Sequence, residues 1–238
     1  MFFQVVSSAV TRASGPPPGG PISFSDPTIT CLVDMGFTTG FPAVGNLPVT
    51  ATSGDFVIVA LFYDSPSSTD YVITPSGWTK LFHAGDATPD AQMDFYYKVY
   101  DGSEGSTITF DASGTIGTRD VYIYAFIVNN IDTSNPFPVV GVTDQTGFGT
   151  VLYISEVTAT SDGRVLALRA YDGGDGDPFT FTAGWTEQVQ AECDPTSAGL
   201  GVAIVYKEIL SGASSGMLAV TPIAPDGMVG KQIFMKQA

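Results

Sequence analysis

Pro75-Ser76-Gly77-Trp78-Thr79 recurs, loosened, as Thr182-Ala183-Gly184-Trp185-Thr186, and these two stretches hold both tryptophans of the 238-residue chain. Landmarks around them keep step. Gly54-Asp55 is answered by Asp162-Gly163, Tyr96-Tyr97-Lys98-Val99 by Val205-Tyr206-Lys207-Glu208, and Tyr122-Ile123-Tyr124-Ala125-Phe126 by Lys231-Gln232-Ile233-Phe234-Met235. The offset is 107 residues from Trp78 to Trp185 and 109 from Lys98 to Lys207. A nearly constant offset of this size predicts two copies of one unit arising from an internal duplication.

Working outward from the Gly-Trp sites, short apolar or alternating runs are separated by Gly, Ser, Asp or Pro turns. Strands are predicted over 28–33, 47–51, 55–63, 78–82, 93–100, 107–110 and 121–128, and again over 139–142, 151–159, 164–171, 179–186, 201–210, 217–221 and 231–235. No ten-residue stretch carries a helical period. In 94–100 the residues Phe95, Tyr97 and Val99 share one face, as in a half-buried antiparallel strand. Phe56-Val57-Ile58-Val59-Ala60-Leu61 does not alternate, which predicts a strand covered on both faces or lying at the seam between the copies. The expected fold is all-β: two tandem antiparallel sandwiches, jelly-roll or immunoglobulin-like, over 23–135 and 136–238. One large sandwich built from both repeats is the alternative. The bridge Asn130-Ile131-Asp132-Thr133-Ser134-Asn135-Pro136-Phe137 is short, so the units should pack together rather than swing.

Residues 1–22 differ in kind. Gly15-Pro16-Pro17-Pro18-Gly19-Gly20-Pro21 cannot make a helix or an inner strand, because proline lacks the amide donor. We expect an extended arm that docks on a neighbouring subunit, with Phe2, Phe3, Val5 and Val6 as apolar contacts and Pro16, Pro17 and Pro18 as a stiff spacer. Met1-Phe2-Phe3-Gln4-Val5-Val6 lacks a basic leading region and reads as a poor secretory signal. The longest apolar runs are far shorter than the roughly 20 residues of a spanning helix, so no membrane insertion is expected.

Composition narrows the partners. Lys plus Arg number 9 against 24 Asp plus Glu, a net charge of −15, which repels phosphate backbones and argues against nucleic acid. Apolar residues at 44% with only 14% charged exclude a disordered chain or a coiled coil. Cys31 and Cys193 lie one in each half; buried free thiols are expected, with a disulfide between the units as the alternative.

Few residues carry chemistry. Trp78 and Trp185 read as plugs of the two cores, each preceded by a glycine that lets backbone approach closely; the alternative is a platform on which a sugar ring stacks. Asp172, Asp175 and Asp177 form a weak Ca²⁺ candidate. They do not follow the EF-hand order, and a solvated acidic turn is the preferred reading. Gly212-Ala213-Ser214-Ser215-Gly216 matches a nucleophile elbow on paper, but a predicted strand follows where a helix is needed, so it reads as a hairpin turn. The single histidine, His83, reads as a surface loop residue. No catalytic residue and no cofactor are predicted, and the chain is expected to be non-enzymatic.

The order Gly54-Asp55, Pro75-Ser76-Gly77-Trp78-Thr79, Tyr96-Tyr97-Lys98-Val99, Thr107-Ile108-Thr109-Phe110 and Ile123-Tyr124-Ala125-Phe126 leading to Asn135-Pro136 resembles a β-sandwich module of tailed-bacteriophage virion proteins. It is also similar to repeats in bacterial surface proteins. The likeness spans most of 50–138 and, more loosely, 160–236, where Thr182-Ala183 replaces Pro-Ser. It implies a non-enzymatic virion structural protein, made in the host cytoplasm. Its partners would be the major capsid protein or other virion subunits and further copies of itself. A capsid decoration or cement protein held by its arm is the first expectation, and a tail fibre, spike or tail-tip component the second. A carbohydrate-binding or adhesive module engaging a host-surface glycan is the third.

Overall fold

The computed structural model describes residues 20–32, 41–65, 72–85, 91–113, 120–172, 180–192, 199–221 and 226–238. These residues hold strands and no helix. In chain order the strands are β1 (Ser23–Leu32), β2 (Ala43–Asn46), β3 (Phe56–Asp64), β4 (Val72–Ile73), β5 (Thr79–Gly85), β6 (Ala91–Val99), β7 (Thr107–Ala112), β8 (Val121–Asn129), β9 (Val139–Val140), β10 (Asp144–Gly149), β11 (Leu152–Ile154), β12 (Gly163–Asp172), β13 (Thr180–Phe181), β14 (Thr186–Glu192), β15 (Leu200–Ile209), β16 (Leu218–Thr221) and β17 (Asp226–Lys236).

Every pairing is antiparallel. The first half forms a large sheet in the order β1-β8-β3-β6-β5 and a small one in the order β2-β7-β4; the second half repeats this as β10-β17-β12-β15-β14 and β11-β16-β13, with β9 added beside β17. Subtracting nine from the second set of labels reproduces the first. In each half the nested pairs first-with-eighth, second-with-seventh and third-with-sixth are those of a jelly roll. The fourth pair is not made: the fifth strand turns back onto the sixth and joins the large sheet.

Strand parity explains the layers. Along β3, Val57, Val59, Leu61 and Tyr63 face the small sheet of their own half, together with Ile108, Phe110, Ile123 and Tyr96. The alternate residues Phe56, Ile58, Ala60 and Phe62 point the other way, into a core shared with Leu166, Leu168 and Ala170 of β12, Val202 and Ile204 of β15 and Ile233 of β17. The two large sheets therefore pack face to face, with a small sheet outside each. This is why 56–61 is apolar without alternation: both of its faces are covered.

The seam also carries polar and aromatic contacts. Arg164 lies over the rings of Phe24 and Tyr206, 5.0 and 4.2 Å from their centroids. Gln188 Nε2 donates to the Tyr124 hydroxyl at 2.9 Å. Buried Lys231 sits 5.1 Å from the Phe82 ring centroid and donates to Thr143 Oγ1 at 2.8 Å; loss of water around its ammonium holds its pKa below the usual value. Phe137, from the connecting segment, packs on Phe56, Phe95 and Tyr97.

Several boundaries differ from expectation. β1 begins at Ser23 rather than at 28, because a bulge at Asp26 (φ 46°) breaks the sequence pattern without ending the strand. Asp26 Oδ2 accepts from both the amide and the hydroxyl of Thr50 at 2.7 Å, tying that bulge to a turn. Residues 47–51, predicted as a strand, lie in that turn, and the strand is β2 just before it. Within the predicted strand 179–186, β13 ends at Phe181 and β14 begins only at Thr186, with the Gly184 turn between them, while β4 and β10 were not expected. Ile58 pairs with Phe126 and Leu166 with Ile233, so Phe126 is matched by Ile233 and not by Met235.

The root of the predicted arm lies inside the body. Ile22 is fully buried in the shared core, Asn130 Nδ2 donates to the Pro21 carbonyl at 3.2 Å, and Gln237 Nε2 donates to the Gly20 carbonyl at 3.3 Å. The assignments to Phe2, Phe3, Val5, Val6, Pro16, Pro17 and Pro18 fall outside the described residues.

Candidate functional site at the tryptophan recess

Both Gly-Trp sites are turns. The Trp78 amide donates to the Pro75 carbonyl at 3.1 Å, closing a four-residue turn with Gly77 at φ 78°. Gly184 has φ 93°. A type II turn places its third residue in that left-handed region, where a β-carbon is strained. Close approach, the reason inferred from sequence, is not the cause. A β-carbon at Gly184 would meet nothing within 4 Å, and one at Gly77 would touch only the Lys98 ammonium at 3.2 Å.

The turns deliver the two indoles to matching places, and neither indole is enclosed. Trp78 is half-buried against the inner core of the first sandwich, edge-on to Tyr100 with centroids 6.4 Å apart. Trp185 is half-buried against both parts of the second inner core. That core is divided by a polar network: Ser215 Oγ donates to Gln232 Oε1 at 2.6 Å and accepts from the Val157 amide at 2.9 Å. The Ser214-Ser215 turn is followed by strand β16, where a nucleophile elbow needs a helix. The tryptophans thus pack against the inner cores without being enclosed by them.

Beside Trp78 a recess of about 260 Å³ opens, bordered by Ser76, Lys98, Glu104, Thr107 and Thr109. β6 supplies Lys98, β7 supplies the threonines, and the turn between those strands supplies Glu104. Lys98 Nζ lies 2.6 Å from Glu104 Oε1 and 3.3 Å from Asp101 Oδ2. The Glu104 carboxylate also accepts from the amides of Asp101 and Gly102, each at 3.0 Å. Loss of water around Glu104 works to raise its pKa, but the bonds from Lys98 and these amides outweigh it, and the carboxyl is held below its usual value. Asp101 is drawn down to about 2, chiefly by the hydroxyl and amide of Ser103. Lys98 is raised, first by its bond to Glu104. All three groups are charged at neutral pH.

The second half differs at this point. Lys207, the counterpart of Lys98, donates to the Ser215 carbonyl at 2.9 Å and lies 6.0 Å from the Trp185 ring centroid. It faces a neutral carbonyl where Lys98 faces two carboxylates.

A second polar cluster lies within the first sandwich, and it corrects the loop assignment of His83. His83 is in β5 and partly buried, with Nδ1 3.0 Å from Oδ1 of Asp94. Tyr96 donates to Asp94 Oδ2 at 3.1 Å, and Lys80 Nζ approaches the same oxygen at 3.6 Å. Lys80 also donates to the Val72 carbonyl at 2.9 Å. The sequence held a signal for this group: Gln92, Asp94 and Tyr96 share the inward face of β6, and a carboxylate at an inward position needs partners. The second half places Ala203 opposite Gln190 where the first places Asp94 opposite His83.

Of the Ca²⁺ candidates, Asp172 ends β12, while its side chain, Asp175 and Asp177 lie outside the described residues. The same holds for Cys193 and the side chain of Cys31. No protein family, curated protein or solved structure matches the chain.

Proposed function

We propose that the chain is a non-enzymatic structural subunit of a bacteriophage virion, a capsid decoration protein joined to its neighbours through the segment that precedes Gly20. The observation that carries this reading is where that segment enters the body. Ile22 is buried between the two large sheets, and Asn130 and Gln237 hold the carbonyls of Pro21 and Gly20. A pull on the arm is thereby transmitted to both halves at once. Jelly-roll order, which recurs in viral capsid and lectin domains, supports the reading at the level of fold analogy. A charge of −15 suits an outward surface and leaves attachment to apolar contacts and the arm.

Deleting residues 2–19 tests it, because Gly20, Pro21 and Ile22 stay in place. The truncated chain should keep the melting temperature of the parent and fail to co-sediment with particles that lack the native protein. Undiminished binding to those particles would refute the proposal.

A further inference from the structure

We infer that the Trp78 recess is a binding site for one neutral pyranose ring, and that Trp185 is not an equivalent site. The inference does not depend on how the chain is attached to an assembly.

Three features select this ligand. First, Trp78 borders the recess from a half-buried position, so its indole is anchored on one side by the core and open on the other. An anchored indole loses little side-chain freedom when a flat apolar ring face covers it. Second, the polar border is the kind that sugar hydroxyls require. Lys98 Nζ donates and Glu104 Oε1 accepts, 2.6 Å apart, so adjacent hydroxyls of one ring can accept from the first and donate to the second. Ser76, Thr107 and Thr109 add groups that do both. Third, the size and charge are restrictive. About 260 Å³ is below the 300–1,000 Å³ of pockets for drug-sized ligands, so it holds a single ring. Lys98 is outnumbered by Asp101 and Glu104, which makes the recess locally anionic and repels carboxylated or sulfated sugars.

The contrast between the copies supplies an internal control. Trp185 has the same turn and the same neighbouring lysine, but Lys207 donates to the Ser215 carbonyl, and the turn over 210–217 carries no acidic residue in the place of Asp101 and Glu104. Stacking alone is therefore available there without the donor and acceptor pair.

The test uses the full chain carrying Trp185→Phe, so that fluorescence reports Trp78 alone, titrated with methyl glycosides of glucose, galactose, mannose and N-acetylglucosamine and with a methyl sialoside. At least one neutral glycoside should give a saturable change, with no response to the sialoside. By ligand-observed NMR on the otherwise native chain, Trp78→Ala should weaken that binding roughly tenfold or more. Trp78→Phe should keep part of it, Glu104→Gln should weaken it several-fold, and Trp185→Ala should leave it unchanged. Melting curves establish that each variant is folded, and Trp78→Phe keeps the test decisive if Trp78→Ala is not. No response to any neutral glycoside, equal losses from Trp78→Ala and Trp185→Ala, or preferential binding of the sialoside would each overturn the inference.

Discussion

Gly77 and Gly184 precede the tryptophans because the turn needs a left-handed residue, and the cost of replacing them follows from that reason alone. Gly184→Ala meets no steric obstacle, so it should destabilise only by the strain of a positive φ, about 1–2 kcal/mol in urea unfolding. A loss several times larger would restore close backbone approach as the cause. Trp78→Ala removes an indole that is buried over most of its surface though not enclosed. At roughly 25 cal/mol per Å² for about 150 Å², that change should cost about 4 kcal/mol in urea unfolding, within the about 3–5 kcal/mol typical of truncating a large aromatic in a core. Asp101 sets an acid limit. Its pKa is lowered from 3.8 to about 2 by folding, so its contribution is complete above pH 3.8 and is lost as pH falls through about 2. Asp101→Asn should flatten the fall in melting temperature across that window, and an unchanged slope would remove Asp101 from the account.

Strands in the two halves solve the same packing problem from opposite sides. In the first half Gln92 of β6 pairs with Gly85 of β5, and a β-carbon at Gly85 would lie 2.1 Å from Gln92 Oε1. In the second half the glycine sits on the other strand: Gly201 of β15 pairs with Glu192 of β14, and a β-carbon at Gly201 would lie 1.6 Å from the ring of Tyr171. That ring is held in place by Arg169, 4.8 Å from its centroid. Gly201→Ala should therefore cost about 1–3 kcal/mol through overpacking. In a Tyr171→Ala background the same substitution should cost almost nothing, and a double-mutant cycle measures the difference. Additive effects would mean that the ring is not what Gly201 accommodates.

The whole molecule is governed by the face shared between the large sheets. Separating the halves would expose Ile58, Phe62, Tyr124 and Phe126 on one side and Leu166, Leu168, Val202 and Ile204 on the other, all buried in the intact chain. Neither sandwich can lose its partner without uncovering an apolar sheet. Calorimetry should accordingly show one transition with equal calorimetric and van't Hoff enthalpies, and a fragment ending at residue 137 should associate or precipitate. Two resolved transitions, or a soluble monomeric fragment, would show that the halves are thermodynamically independent.

The amino-acid order by itself determined the all-β class and the coverage of 56–61 on both faces, since each follows from turn spacing or from side-chain parity along one strand. Parity says which side a residue faces and nothing about what lies opposite. Only the tertiary structure brought Lys98, Glu104 and Trp78 to one recess, set His83 against Asp94 and joined the two large sheets, because each of these depends on strand register, turn geometry or packing between sheets, none of which parity sets. It also decided that the tryptophans pack on the inner cores without being enclosed by them. Ile22 makes the point most simply: it ends a stretch that the sequence assigns to an extended arm docked on a neighbouring subunit, and it is buried in the chain's own core between two sheets.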